Sequence, residues 1–132
     1  MENVLHRSPE ILLLLFLIIT FLQSGADKLL DWRNNLAWLK EHFGASPFKN
    51  IVPFLLTTVM VAELCAALLC LLGLYELVVS NTVTLALYGA IMSCIALLML
   101  LLGQRIARDY EGAKTITVYF LPAVFLVYLL VV

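Results

Sequence analysis

Four long apolar runs set the limits on what this chain can fold into. They are Ile11 to Leu22 (uncharged on to Ala26), Ile51 to Tyr75, Val83 to Leu102 and Thr115 to Val132. A helix of about 20 apolar residues crosses the roughly 30 Å hydrocarbon core of a bilayer. Composition points the same way: 64% of the 132 residues are hydrophobic and 13% charged, with a mean hydropathy of +1.05. A soluble domain is nearer half apolar and a quarter charged. The expectation is an all-α membrane protein: one transmembrane domain over 1–132, with four helices in a bundle spanning about 9–28, 51–75, 83–103 and 115–132. The lipid bilayer is then its first partner. The net charge of −1 gives no signal for nucleic acid.

Local signals place the ends of these spans. Ser8-Pro9-Glu10 suits a helix opening, with Ser at the cap and Pro and an acid in the first turn. The same region also admits a cleaved signal peptide, with Arg7 ahead of the apolar run and Ser24-Gly25-Ala26 before a cut. Glu2 and Glu10 offset Arg7, and three remaining spans would lack the fourth that closes a bundle, so the membrane span is preferred. Pro53 falls in the first turn of the second span, where its missing N–H costs little. Glu76 to Thr82 reads as a short turn, and Gly103 to Lys114 as a polar loop. The third span offers a small-residue face at Gly89, Ala90, Ser93 and Ala96, and Pro122 predicts a kink in the fourth.

The polar stretch from Gln23 to Pro47 is different in kind. It holds both tryptophans, Trp32 and Trp38, with Lys28, Arg33 and Lys40. Trp32, Leu36, Leu39 and Phe43 recur at spacings of four, three and four, which is one face of a helix over about 31–43. Asp31 suits its cap, and Gly44 followed by Pro47 its end. This segment is too short and polar to span; it reads as an amphipathic helix in the membrane interface, a lid whose tryptophans sit at headgroup depth. With four spans, the loops after the first and third share a side. They carry Lys28, Arg33, Lys40, Lys49, Arg105, Arg108 and Lys114, against Arg7 alone on the other side. The positive-inside bias then puts both loops in the cytoplasm and both termini outside.

Glu63 is the sharpest candidate for chemistry. It lies ten residues past Pro53, about 15 Å along a helix and near mid-depth, where an acid costs some 2.5–3.5 kcal/mol or more. It therefore faces the bundle, is protonated, or has a partner. One reading is a proton-handling acid or a polar contact for a headgroup such as a quinone. The other is a packing acid hydrogen-bonded to Gln23, Thr57, Thr58 or Ser93. Gln23, Asp27, Lys28, Gln104 and Arg105 are candidates for a polar mouth leading toward it, with a cross-helix pair such as Asp27 with Arg105. The bland alternative is interfacial charge that snorkels and sets topology. The three cysteines, Cys65, Cys70 and Cys94, lie in apolar runs with no metal spacing. Cys65 and Cys70 are out of register for a disulfide. His6 and His42 have no companion ligand and read as interfacial, so no metal or haem site is expected. No phosphate loop, nucleophile elbow or CxxC pair occurs, so no catalytic residue is named.

The order of these features resembles the DoxX family of small four-span membrane proteins. The resemblance rests on Gly25-Ala26-Asp27-Lys28-Leu29 closing the first span and Asp31-Trp32 opening the interfacial segment. It continues with Glu63 in the second span and Gly103-Gln104-Arg105-Ile106-Ala107-Arg108-Asp109-Tyr110 after the third, and so covers nearly the whole chain. The resemblance implies a multi-pass protein of the bacterial inner membrane. The family's namesake is similar to a subunit of a thiosulfate:quinone oxidoreductase, and other relatives act with redox or detoxifying enzymes or help receptors assemble. This chain has no cysteine pair for sulfur handling, which argues against a catalytic thiosulfate role. The leading reading is a non-catalytic accessory subunit or assembly factor that binds other membrane protein subunits and needs no cofactor. The alternative is a quinone-interacting subunit of a membrane oxidoreductase using Glu63. A small-solute carrier or channel is the third class.

Overall fold

Helices account for nearly all of the architecture in the computed structural model, which describes residues 2–44 and 50–132. A short helix α1 (Glu2–His6) leads into α2 (Ser8–Leu30); α3 (Trp32–His42) follows, then α4 (Val52–Ser80), α5 (Thr84–Ile106) and α6 (Tyr110–Val131). No strand occurs among the described residues. The helices α2, α4, α5 and α6 are long and apolar enough to cross a membrane, and α3 is the short helix between the first two spans. Pro47 and Lys49 of the expected lid end and basic loop lie outside the described residues.

Several element ends differ from the sequence expectation, for one shared reason. Apolar patterning marks where lipid is, while helices continue as long as their residues allow. The turn expected over Glu76 to Thr82 shrinks, because α4 runs on to Ser80 and stops at Asn81, which takes a left-handed φ of 53°. Glu76 is thus helical, and its Oε1 accepts the Leu85 N–H at 3.2 Å, satisfying one of the free donors at the start of α5. The loop expected over Gly103 to Lys114 likewise shrinks to residues 107–109. Gln104 and Arg105 continue α5, Arg108 turns the chain at φ 61°, and Asp109 caps α6 by accepting the Gly112 N–H at 3.0 Å. Ser8 makes no side-chain cap, since the chain ahead of it is already helical and Arg7 takes that position. Nor does the Asp31 side chain cap α3; its Oδ1 accepts from Asn34 Nδ2 at 2.9 Å instead. Helix α6 continues past Pro122 to Val131.

Packing follows chain order: α2 lies on α4, α4 on α5 and α5 on α6, and α6 returns to α2 over a shorter contact. Leu14, Leu17 and Phe21 of α2 meet Ala62, Ala66, Ala67 and Cys70 of α4 in one buried core with Ala86, Ala90, Ala96, Ala123 and Leu126. The α4–α5 seam is the closest. A Cβ added at Gly73 would stand 2.4 Å from the backbone of Ala86, and one at Gly89 would stand 2.8 Å from the Cys70 nitrogen. The small-residue face of the third span therefore serves this internal seam, not a docking face for another protein. Ser93, within it, donates to the Gly89 carbonyl at 2.7 Å. All three cysteines are free thiols.

The antiparallel order gathers the end of α2, α3, the start of α4 and the α5–α6 turn at one end of the bundle. At the other end, Arg7 pairs with the buried Glu10 at 3.0 Å and reaches Asn81 at 3.4 Å, fastening the start of α2 to the end of α4. The outward faces remain apolar, with Leu12, Ile19, Leu68, Leu98, Leu121 and Phe125 all exposed, as lipid contact requires.

Candidate functional site

Glu63 is 1% exposed, and its partner is Lys28: Nζ lies 2.8 Å from Oε1. The sequence expectation named Gln23, Thr57, Thr58 or Ser93 as that partner. Three of these are bonded elsewhere, and Gln23 shares the Glu63 cavity without a hydrogen bond to it among the described residues. Thr57 and Thr58 donate to the Pro53 and Phe54 carbonyls of their own helix, both at 2.8 Å, and Ser93 bonds Gly89 and Cys70. Two geometrical facts bring Lys28 in. Helix α4 has 29 residues, so Glu63, the twelfth, lies short of its middle, toward the α3 end. Lys28 lies within the last turn of α2, and a long aliphatic stem lets its ammonium reach inward. Ser24, one turn earlier, accepts a hydrogen bond from Nζ at 2.7 Å and holds it in place.

The pair is close and shielded from solvent. Oε1 is fully buried, and the Lys28 ammonium at 2.8 Å is the charge that compensates it. The attraction of opposite charges in a water-poor setting holds the carboxylate against α2.

Glu63 and Lys28 stand in the walls of two different cavities. Glu63 lines a cleft of about 570 Å³ between α2 and α6. One wall is polar and helical in period: Thr20, Gln23, Ser24 and Asp27 of α2. Facing it are Leu97, Leu100, Ile116 and Tyr119. Phe16 and Tyr119 stack across from α2 to α6 with centroids 6.0 Å apart. Lys28 lines a second cavity of about 380 Å³ beneath α3, roofed by Asn35, Trp38, Leu39 and Phe43 and floored by α4 and the end of α5. The ion pair is the partition between the two spaces.

The remaining sequence candidates divide. Gln23 and Asp27 line the cleft with Glu63, while Gln104 lines the lid cavity with Lys28. Arg105 joins neither. It is exposed, and its guanidinium lies over the Tyr110 ring at 5.1 Å. Because α5 continues through Arg105 to Ile106, this side chain meets the start of α6, and no pair with Asp27 forms among the described residues. In the lid, Trp38, Leu39 and Phe43 face the cavity; Trp32 and Leu36 are half-buried outside its lining.

Two contacts escaped the sequence. The sequence reading names no hydrogen-bond partner for His42; its Nε2 donates to Gln104 Oε1 at 3.1 Å and lies 3.6 Å from Asp109 Oδ2. Its ring stacks on Trp38 with centroids 4.6 Å apart and meets Phe43 edge-on at 5.3 Å. The lid helix is thereby tied to the α5–α6 turn, 62 residues away in sequence, a distance at which nothing local could signal the contact. The second is Lys28 with Glu63. Its signal was present: a buried acid calls for a counter-charge, and Lys28 is the basic residue nearest the end of a span.

A family model described as DoxX matches residues 11–97, which takes in α2, the lid, α4 and the greater part of α5. No curated protein and no solved structure matches the chain. The family match covers well over half of the sequence and includes both members of the ion pair, so the chain belongs to the DoxX family.

Proposed function

We propose that this DoxX-family membrane protein is a quinone-interacting subunit. In this reading it holds a lipid-soluble, ring-headed molecule in the α2–α6 cleft and works beside a membrane oxidoreductase that handles the electrons. The observation that carries the reading is the buried Lys28–Glu63 pair standing in the wall of that cleft. Isolating two charges from water is expensive, and well-packed apolar residues would stabilise a purely structural seam as well or better. An acid kept at that cost in the wall of a cavity is fitted to meet a ligand. The rest of the cleft suits an amphipathic ring. Phe16 and Tyr119 offer aromatic faces, and Thr20, Gln23, Ser24 and Asp27 form a polar stripe leading to the end of α2. Glu63 would orient the headgroup and exchange its proton, with Gln23 nearby.

A second reading, the accessory or assembly subunit without a ligand, loses its first motive, because the small face of α5 is internal. It draws support instead from α6, which buries the least of its length among the four spans and turns Leu121, Val124, Phe125 and Tyr128 outward. In either reading we place the lid end in the cytoplasm of a bacterial inner membrane. Lys28, Arg33, Lys40, Arg105, Arg108 and Lys114 gather at that end, and Arg7 lies at the other.

Extraction of the mildly solubilised protein into organic solvent tests the first reading. Quinone should be recovered from the native chain and be depleted from Phe16→Ala/Tyr119→Ala. No quinone in the native extract, together with unchanged membrane reductase activity in Lys28→Met/Glu63→Gln, would overturn it. In that event, co-migration with a larger complex on native gels would carry the accessory reading.

A further inference from the structure

We propose that the cavity beneath the lid is a second binding site, shaped for an uncharged, hydroxyl-headed apolar molecule of the long-chain alcohol class. The site is separate from the α2–α6 cleft and does not depend on what the cleft holds. Its walls are of two kinds. Phe54, Leu55, Val59, Met99 and Leu102 of α4 and α5 form an apolar floor. Lys28 and Asn35, on either side of the α2–α3 junction, form a polar wall. The two are neighbours: Asn35 Nδ2 donates to the carbonyl of Asp27, the residue before Lys28, at 3.3 Å, and to the Asp31 carbonyl at 2.9 Å. Trp38 in the roof and Phe54 and Leu102 in the floor are exposed. The cavity therefore opens on apolar outer surface, where a molecule dissolved in the bilayer can enter.

The head group follows from counting charges and donors on the polar wall. A lysine ammonium has three N–H groups. At Lys28, Ser24 accepts one at 2.7 Å and the Glu63 carboxylate lies against the same nitrogen at 2.8 Å. Both of these partners stand in the wall of the cleft, whereas Lys28 itself lines the lid cavity. The third N–H has no partner among the described residues, and calls for an acceptor. That acceptor should carry no charge. The ammonium is already matched by Glu63, so an anionic head would set two anions on one cation and leave a net charge out of water. Asn35 adds a second condition. Its amide nitrogen is engaged by two carbonyls, and its Oδ1 takes no hydrogen bond among the described residues, which calls for a donor. A hydroxyl accepts and donates at one atom. A ketone or ester can serve Lys28 alone, and a hydrocarbon serves neither.

Trp38 is a built-in reporter, since it lines this cavity and no tryptophan lines the cleft. The full chain carrying Trp32→Phe keeps Trp38 as its sole tryptophan. In detergent micelles it is titrated with three probes that share a chain and a quenching bromine: 12-bromododecan-1-ol, 12-bromododecanoate and 1-bromododecane. The alcohol should quench Trp38 saturably and bind about tenfold tighter than the other two, the margin expected of a hydrogen bond from a charged donor. Excess unlabelled dodecan-1-ol should relieve the quenching. The saturable part should be lost in Val59→Phe, which fills the cavity from its floor. In Lys28→Met/Glu63→Gln, which removes both charges together, the alcohol should come within about twofold of bromododecane while the unfolding temperature stays near that of the native chain. Quenching that does not saturate, or that dodecan-1-ol does not relieve, would overturn the site. Equal binding of the alcohol and bromododecane by the chain with both charges would make the cavity a seat for any lipid chain and overturn the hydroxyl head. Tighter binding of the carboxylate would overturn the charge argument. None of these results bears on the quinone reading, which the solvent extract decides.

Discussion

The two sides of the bundle are built to opposite rules. Where α4 meets α5, backbones approach so closely that Gly73 and Gly89 have no room for a Cβ, and the seam is filled by small residues such as Ala86 and Ala90. Where α2 meets α6, contact is short and a cleft of about 570 Å³ opens, with polar side chains along one wall. In a membrane, helices gain little from hiding apolar surface, since lipid is equally apolar, and stability comes from close van der Waals packing. A bundle this small can hold an open seam only if another seam is tight. The α4–α5 contact lets the α2–α6 side stay open, and the charged pair sits where α2 and α4 connect the two.

The sharpest way to break that contrast is to spoil the tight seam. In Gly73→Ala the new methyl would meet the Ala86 Cα and nitrogen at 2.4 Å, so backbone must move. A loss of about 3 kcal/mol or more is expected, read as a lower midpoint in unfolding titrations in micelles. The matching change at the cleft rim, Ile19→Ala, trims an exposed side chain and should stay within about 0.5 kcal/mol. Similar losses for the two would remove the distinction between the seams.

Comparable in size is the effect of the charged pair. Lys28→Met strands the Glu63 carboxylate among buried residues and should cost about 3–5 kcal/mol. Adding Glu63→Gln to the same chain should restore most of that, because no bare charge remains. The recovery, measured as a double-mutant cycle, separates a pair kept for a site from one that holds the bundle together. If the double variant is as unstable as the single, the pair is structural.

How far the sequence could be read follows from the range of each signal. Four spans and a short amphipathic helix were legible, because apolar run length and period are local properties of the chain. Helix ends were less so: Glu76, Gln104 and Arg105 are polar, and polarity was taken as the end of a helix when it marks only the end of lipid. The importance of Glu63 was legible from the cost of burying it, but its partner was sought among hydroxyl and amide side chains inside the spans. Lys28 is legible as part of a polar mouth leading toward Glu63 or as snorkelling interfacial charge, but not as its direct partner. The cleft, and the tie from His42 to Gln104 and Asp109, depend on which helix faces which, and a single sequence carries no signal for that.

Gly25 tests an intermediate case, the α2–α4 seam. A Cβ there would meet the Leu64 side chain, with Cδ2 at 2.6 Å and Cγ at 2.9 Å, while the nearest backbone atom is 3.6 Å away. A leucine can change rotamer where a backbone cannot. Gly25→Ala should therefore cost about 1–2 kcal/mol, less than Gly73→Ala. Were the two equal, side-chain adaptability would not be what separates these seams.

The smallest effect is expected at the lid, which belongs to neither seam. Helix α3 has no fully buried residue, and on its far side it depends on the His42 contacts to the α5–α6 turn. His42→Ala removes the 3.1 Å hydrogen bond to Gln104 and the stack on Trp38, about 1 kcal/mol in all. The spans do not rely on those contacts, so the loss should appear as local opening: amide exchange over residues 32–42 faster by roughly fivefold, with exchange in α4 and α5 unchanged. Exchange that rises throughout the bundle would mean that the lid contributes to holding α5 and α6 in place. The cavity beneath it would then belong to the same cooperative unit as the core, and the bundle would have a single stability where this contrast requires at least two.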